Sequence, residues 1–464
     1  MTTPAQRLAS FSASLSLADV PADVADAAKL HALDVLGCGL AAHALDTFPA
    51  AREALAEEGG AGPATAIGVR DGLTARDAAF VNGVACHSLD FDDTHPGAVA
   101  HISTVVVPAA LAVGEQVSAS GEEVLASIVA GNEVAIRIGM ASGEAFHAKG
   151  FHPTAIAGIF GAAAAAARLR GLDAETTVQS LGIAGSLASG ILEFLGDGSS
   201  TKRLHAGMAA SGGVTAVALA AHGATGPRTV LEGRFGLYRA HLGDEAQVDI
   251  DAQLADLGAR WETPRIAFKP YPACHYLHAS LDATIQAMTE EGLEPGDVVD
   301  LVVVSPPAGV SMVLEPAANK ARPRSEYEAK FSLPYSVATY LTHGRVDVSS
   351  YTDEAIGDED VLAVAGTIRY EVADFATAGR AFPGGARIRT KDGREIERTL
   401  LYQRGDPENP MTADEVVGKF QTNAALALAP DGVEALRGAV LGLERQDDLG
   451  FLGALAVASR EVTR

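Results

Sequence analysis

One stretch of the chain, residues 82–103, concentrates side chains that could do chemistry. Its sequence is NGVACHSLDFDDTHPGAVAHIS, and it holds three histidines and three carboxylates: His87, His95, His101, Asp90, Asp92 and Asp93. The Asp side chains could satisfy turn amides at a helix end, bind a divalent metal together with His, or orient His for acid–base catalysis. A metal–diphosphate site would also need a second Asp-rich segment and a basic partner motif, and the sequence has neither.

Three further positions place a basic side chain at the predicted start of a helix. His101 precedes Ser103, His152 precedes Pro153, and Lys202 is followed by His205 one turn later. Because the unpaired N–H groups and the dipole of a helix start favour anions, each position is a candidate anion site. Ordinary capping, or a long side chain reaching solvent, is the alternative at any single position.

The apolar surroundings of Lys202 and Lys269 are informative because the chain has only eight lysines. The sequence shows no G-x-S-x-G elbow, no P-loop and no G-x-G-x-x-G after a strand. These absences argue against triad hydrolases and against enzymes that bind nucleotide phosphates or dinucleotides.

The composition of the chain limits the classes of molecule it could bind and the cellular compartment it could occupy. The chain has 464 residues, 48% of them hydrophobic, and a net charge of −24, which repels nucleic acids and anionic membranes. Only three cysteines occur, with no disulfide-like spacing, so we expect a cytoplasmic protein. We identify no signal peptide and no transmembrane helix.

The elements that must position these side chains are mainly helices. Helical spacing runs from residue 1 to about 260, and Gly161 with the six alanines that follow predicts a buried helix approached closely by others. The period changes around residues 265–405, where Val298–Val304, Val361–Tyr370 and Ala386–Tyr402 are predicted as strands, the last with a hairpin turn at Asp392-Gly393. Helices resume at Thr412. The fold class predicted is mainly α, with a smaller α+β domain.

Six ordered segments across nearly the whole chain resemble the MmgE/PrpD family. They are NGVACHSLDFDDTH (82–95), HISTVVVPAALAVGE (101–115), GFHPTAIAG (150–158), DGSSTKRLHAGMAASGG (197–213), FKPYPACHYLH (268–278) and EAKFSLPYSVA (328–338). The resemblance implies a large all-helical domain built from both chain ends, residues 1–264 and 406–464, with an α+β lid domain inserted at 265–405. It also implies a homodimer that acts on small polycarboxylates and requires no metal or other cofactor.

Carried over onto this sequence, the resemblance implies an active site at the domain interface. His101, His152, Asp93 and Lys202 are the implied catalytic residues, and Lys269, Thr94 and His205 the implied substrate-binding residues. Lys202 and Lys269 would hold substrate carboxylates, His101 would move the proton, and Asp93 would orient or tune a His.

The predicted function is a dehydratase-type lyase that abstracts a proton next to a carboxylate of a di- or tricarboxylate. Known family activities leave two enzyme alternatives, an isomerase or epimerase of a dicarboxylate such as iminodisuccinate and a cis-aconitate-type decarboxylase. A carboxylate-binding protein without turnover is the alternative from another class.

Overall fold

A computed structural model describes residues 2–377 and 380–456 of the chain. Most of it is helical, with two small sheets, so the mainly α prediction is confirmed. The chain divides into two compact units. The first comprises the chain up to Ser88, Asp92–Ile266 and the chain from Thr412 onward; the second comprises Leu89–Phe91 and Ala267–Met411. Residues 457–464 of the predicted helical domain lie outside the described residues, and the function of the second unit as a lid stays a prediction.

The first unit begins with thirteen helices and one small hairpin. The helices are α1 (Pro4–Ser14), α2 (Ala22–Ala44), α3 (Ala50–Glu58), α4 (Ala75–His87), α5 (Ser103–Val117), α6 (Gly121–Met140), α7 (Ala145–Ala148), α8 (Pro153–Leu169), α9 (Ala174–Leu187), α10 (Phe194–Asp197), α11 (Lys202–Ala221), α12 (Leu237–Leu242) and α13 (Ile250–Leu254). The hairpin, β1 (Ala61–Ala66) with β2 (Val69–Leu73), is antiparallel and was not predicted.

Side-chain caps fix where several of these helices begin. Thr74 accepts a hydrogen bond from the backbone N–H of Asp77 at the start of α4. Ser120 and Glu123 form a capping box at the start of α6. These caps fix the residue at which each helix begins. The starting residue in turn determines which side chains of the helix face the core.

The alanine-rich helix α8 lies at the centre of the first unit. Ala162–Ala167 are fully buried, which confirms the predicted interior helix. The small residues allow backbones to approach closely: a Cβ on Gly161 would lie 2.6 Å from the carbonyl oxygen of Gly131 in α6. On another side, a Cβ on Gly213 in α11 would lie 2.6 Å from the Ala162 Cβ. Helix α8 is thereby held rigidly between α6 and α11.

By length and hydropathy alone, α11 could cross a membrane, and it is the one described helix that passes this test. Over half of its apolar window is buried, because it packs against α4 and α8. This is the environment of a core helix.

The second unit is an α+β unit built on one four-stranded sheet. Its helices are α14 (His278–Glu290), α15 (Pro307–Gly309), α16 (Ala317–Ala321), α17 (Glu326–Ala329), α18 (Leu333–His343) and α19 (Glu359–Ala365). Its strands are β3 (Val298–Ser305), β4 (Arg369–Val372), β5 (Gly384–Thr390) and β6 (Glu395–Leu400), in the order β4-β3-β5-β6. Strand β4 runs parallel to β3, and the other pairs are antiparallel.

Two strand predictions in the second unit have different outcomes. Strands β5 and β6 form the predicted hairpin, and Gly393 in its turn has a φ of +87°, which glycine adopts without strain. The prediction of a strand over Val361–Tyr370 is wrong for most of its length, because the Asp358 side chain caps α19 and its apolar residues pack on a helical face.

The chain returns to the first unit through two more helices, α20 (Ala413–Ala424) and α21 (Pro430–Leu441). Helix α20 packs on α2, where a Cβ on Gly37 would lie 3.0 Å from the Phe420 ring. A buried ion pair joins the same two helices, with Lys419 Nζ 2.8 Å from Asp34 Oδ1.

Candidate active site

The site is organised around the loop that leaves the C-terminus of α4. An antiparallel bridge between His95 and Ala100 closes this loop, with the His95 N–H donating to the Ala100 carbonyl over 2.8 Å. Closing the loop brings Thr94 beside His101, where Thr94 Oγ1 lies 3.1 Å from His101 Nδ1. Val99 has a φ of +53°, an unfavourable value for a β-branched residue, so the loop holds a strained conformation.

His95 stabilises this loop through hydrogen bonds at both of its ring nitrogens. The Ala98 N–H donates to His95 Nδ1 over 3.1 Å, so this nitrogen carries a lone pair and Nε2 carries the proton. Nε2 lies 3.2 Å from Glu262 Oε2 and donates to it. Burial, with the nearby Arg265 and Arg260 charges, lowers the pKa of His95 to about 3. His95 is therefore a neutral structural residue.

His101 is held by groups that determine which of its nitrogens carries a proton. Its Nδ1 lies 2.7 Å from the backbone carbonyl oxygen of Asp93. Since a carbonyl only accepts, Nδ1 carries a proton, and neutral His101 has its lone pair on Nε2. The His101 backbone N–H donates to Thr154 Oγ1 over 3.0 Å, which fixes the residue against α8. The geometry suits His101 to exchange protons through Nε2.

Asp93 contacts two histidines, in different ways. Its carbonyl oxygen holds His101, while its carboxylate oxygen Oδ2 lies 2.8 Å from His31 Nδ1. The other oxygen accepts from the Ser103 N–H over 3.4 Å, at the N-terminus of α5, where a negative charge is favourable. Asp93 is thus placed to orient His101 through its backbone, and His31 is its side-chain partner. His31 lies in α2 and was not among the predicted site residues.

A second pair of histidines lies at the starts of α8 and α11. His152 Nδ1 is 3.0 Å from His205 Nδ1, and His152 Nε2 is 3.0 Å from Thr154 Oγ1. The ring centroids of His101 and His152 are 5.9 Å apart. The structure therefore brings together four predicted residues: His101, Thr94, His152 and His205. It adds Thr154, which contacts both His101 and His152.

Lys202 is the first residue of α11, as predicted, and only 6% of its surface is exposed. Burial, followed by the charges of His205 and Lys202, lowers the pKa of His152 well below its ordinary value. Burial also lowers the pKa of His205 to about 4, with contributions from His87 and Lys202. The two imidazoles are therefore neutral near pH 7, and Lys202 supplies a fixed positive charge beside them.

Helices α5, α8 and α11 all begin at this cluster. The bond from His101 to Thr154 links the entry of α5 to α8, and the bond from His152 to His205 links the entry of α8 to α11. Three helix N-termini and one lysine together favour the binding of a carboxylate-rich ligand.

His87 and Asp92 form a further pair that was not among the predicted site residues. His87 Nδ1 lies 2.7 Å from Asp92 Oδ2, and both side chains are fully buried. The His87 ring centroid is 4.9 Å from that of His101 and 5.6 Å from that of His152. The short spacing H-x-L-D-F-D could have identified the pair, because α4 ends at His87 and the carboxylates follow directly in the loop.

Three residues each offer one potential metal-ligand atom, and these atoms lie within 4.8 Å of one another: His87, Asp92 and His101. This spacing alone would suit a metal ion. Both Nδ1 atoms, however, face oxygen acceptors at hydrogen-bond distance, the Asp92 carboxylate and the Asp93 carbonyl. Protonated nitrogens do not ligate a metal. Through these nitrogens His87 is hydrogen-bonded to Asp92 and His101 to the Asp93 carbonyl, and the absence of a metal requirement stays a prediction.

Lys269, which is predicted to bind substrate, forms a buried ion pair in the structure, and its role in substrate binding stays a prediction. It belongs to the second unit, where its Nζ lies 2.6 Å from Asp90 Oδ1 and 3.0 Å from the Asp90 carbonyl oxygen. Both side chains are 1% exposed. Asp90 itself has a φ of +52°, which aspartate tolerates. Because Asp90 already balances the charge of Lys269, the contact indicates a structural ion pair.

The low pKa of His205 predicts a pH-dependent contribution to stability. The unfolded chain binds a proton at this imidazole near pH 6.5, whereas the folded chain binds it only near pH 4. Between these values the unfolded state holds more protons, so the free energy of unfolding falls as the pH falls. We expect His205→Gln to remove up to about 1.4 kcal/mol per pH unit of this dependence between pH 6 and 5. Urea unfolding of both proteins at several pH values measures it, and parallel pH dependences would contradict it.

Comparison with known proteins matches both parts of the chain to one family. Residues 6–249 match the MmgE/PrpD N-terminal domain, and residues 271–445 match the MmgE/PrpD C-terminal domain. The cis-aconitate decarboxylases of Mus musculus and Homo sapiens are both 31% identical to this chain, covering 82% of it and 78% of their own lengths. The cis-aconitate decarboxylase of Aspergillus terreus is 26% identical and covers 95% of this chain and 93% of its own. The chain belongs to the MmgE/PrpD family, whose relatives named here are enzymes.

Proposed function

We propose that this protein is a lyase that acts on a small, unsaturated polycarboxylate and releases CO2, with cis-aconitate as the first substrate to test. The observation that carries the proposal is the convergence of three helix N-termini and Lys202 on a buried cluster of imidazoles. The helix N-termini and the lysine suit substrate carboxylates, and the imidazoles suit proton transfer.

Two buried hydroxyl groups at the start of α5 support a carboxylate ligand. Ser103 Oγ and Thr104 Oγ1 are fully buried and have no hydrogen-bond partner within residues 2–377 and 380–456. Buried hydroxyls are nearly always hydrogen-bonded in native proteins. A substrate carboxylate at this helix start would accept from both of them.

Decarboxylation takes precedence over dehydration because the relatives are named cis-aconitate decarboxylases. In cis-aconitate, one carboxylate is attached to a methylene next to the double bond. When its C–C bond breaks, the electron pair forms a new double bond to the central carbon, and the old double bond delivers its pair to the CH carbon. That carbon takes one proton. The products are CO2 and 2-methylenesuccinate.

The residues divide this work as follows. Lys202 and the start of α5 hold carboxylates and stabilise the charge that develops on the carboxylate next to the protonated carbon. His101 first takes up one proton from solvent at Nε2 and then delivers it to the carbon, while its Nδ1–H stays bound to the Asp93 carbonyl. Thr154 accepts from the His101 backbone N–H and also contacts His152, so it positions His101. The contact with His31 positions the Asp93 side chain.

A dehydratase, the function predicted first from the sequence, would use the same imidazoles on a hydroxylated substrate. An isomerase or epimerase would use them to remove and return one proton. Proton NMR distinguishes these activities in one assay, in which the purified protein is incubated separately with cis-aconitate, citrate, 2-methylcitrate and iminodisuccinate. We expect 2-methylenesuccinate and CO2 from cis-aconitate. An unsaturated product formed only from the hydroxylated acids would overturn the decarboxylase proposal in favour of a dehydratase, and binding without any product would overturn both.

A further inference from the structure

The His87–Asp92 pair is part of the imidazole cluster, yet the roles assigned above leave it unused. We propose that His87 is a second proton-transfer group of the active site, with Nε2 as its reacting atom and Asp92 as the positioning residue. This inference deepens the proposed function and rests on it for the identity of the substrate.

The first step of the argument is the tautomer of His87. Its Nδ1 lies 2.7 Å from Asp92 Oδ2, and a carboxylate only accepts hydrogen bonds. Nδ1 therefore carries a proton, and the neutral ring has its lone pair on Nε2. A carboxylate that binds one imidazole nitrogen in this way orients the ring and stabilises its protonated form, as in the Asp–His pairs of hydrolases.

The second step is the state of the other nitrogen. His87 Nε2 is buried and has no hydrogen-bond partner in the described part of the chain, although only 1% of the residue is exposed. A structural histidine in this protein looks different, because both nitrogens of His95 are hydrogen-bonded. A buried polar atom without a partner indicates a functional role or a bound group that satisfies it.

The third step is location. The His87 ring forms a triangle with those of His101 and His152, at centroid distances of 4.9 Å and 5.6 Å, and those two are 5.9 Å apart. Asp92 Oδ2 is also 3.6 Å from His101 Nδ1, so one buried carboxylate faces both imidazoles. Because a buried negative charge requires a nearby positive charge, Asp92 favours one protonated ring of the two. After His101 gives its proton to carbon, His87 takes up one proton from solvent at Nε2, which balances the Asp92 charge, and then passes this proton to His101 Nε2 for the next cycle, so that one solvent proton is consumed for each CO2 released.

The variant His87→Asn tests the reacting atom without removing the contact to Asp92. The Asn side-chain amide can replace Nδ1–H as a donor to Asp92, but nothing replaces Nε2. We expect kcat on cis-aconitate to fall by about 100-fold or more, with a much smaller change in KM, because proton transfer is affected more than binding. His278→Asn, which removes a buried imidazole in the second unit, is the matched control and should keep kcat within about threefold of wild type if folded. A folded His87→Asn protein with wild-type kcat would overturn the inference.

A measurement that needs no turnover tests the same atom separately from the proposed function. In protein labelled with 15N at histidine, adding tricarballylate, a saturated tricarboxylate, should shift the His87 Nε2 resonance. Asp92→Ala removes the acceptor that keeps the proton on His87 Nδ1, so the neutral ring should shift toward the Nε2-protonated tautomer in the same spectrum, and kcat should fall. If wild type is inactive on every acid tested but the Nε2 resonance responds, the function is wrong and the site inference survives. If wild type is active but Nε2 does not respond and the tautomer in Asp92→Ala is unchanged, the inference alone fails.

Discussion

His101→Gln is expected to lower kcat on cis-aconitate by about 100- to 10,000-fold, the usual effect of losing a general acid or base. The Asp93 carbonyl and Thr94 fix the ring through Nδ1, so only Nε2 remains to deliver the proton.

Lys202→Ala should behave differently, because it removes a charged contact to a substrate carboxylate. We expect it to raise KM by about 10- to 100-fold, with a smaller fall in kcat.

Steady-state kinetics of the two variants, with circular dichroism to show that each is folded, separate these roles. The account requires the kcat effect to dominate for His101 and the KM effect to dominate for Lys202. Small and equal effects from both substitutions would show that the chemistry has been assigned to the wrong residues.

Lys269→Met is expected to destabilise the second unit by about 3–5 kcal/mol, because it leaves the fully buried Asp90 carboxylate without its counter-charge. For a unit of this size, that corresponds to a fall of roughly 10 °C in the unfolding temperature. Adding Asp90→Asn to Lys269→Met should recover much of the loss, because the amide carries no charge and asparagine tolerates the positive φ at this position.

Differential scanning calorimetry of wild type, both single variants and the double variant completes this cycle. A different result would assign Lys269 to substrate binding. If Lys269→Met melts within about 1 °C of wild type but raises KM, Lys269 binds substrate as the resemblance implied, and the structural interpretation of its ion pair is wrong.

Local patterns predicted much of the fold. The helical spacing of residues 22–44 and the alanine run of α8 are signals carried by neighbouring residues, and the structure has both helices buried as expected. Residues 361–370 show the limit of such signals. Valines at 361 and 364 suit a strand by propensity, but the Asp358 cap and the packing of one face make the segment helical.

The candidate site was predictable to the extent that its contacts are local. Thr94 and His101 are seven residues apart, and the resemblance identified both. Asp90 and Lys269 are 179 residues apart, so no spacing revealed that one neutralises the other. The partner of Asp93 was hidden for the same reason, since His31 lies on another helix. Sequence can name candidate side chains, but only the folded chain shows which charges are already paired.

The central claim is that this site protonates a carbon next to a carboxylate while CO2 leaves from the other end of the double-bond system. Turnover of cis-aconitate in heavy water, followed by proton NMR, tests it most directly. The account predicts one deuterium in the saturated methylene of 2-methylenesuccinate and none in its terminal =CH2 group, because the proton is added to the former CH carbon. Deuterium in the =CH2 group would mean that CO2 leaves directly from the double-bond carbon, and that result would contradict the account.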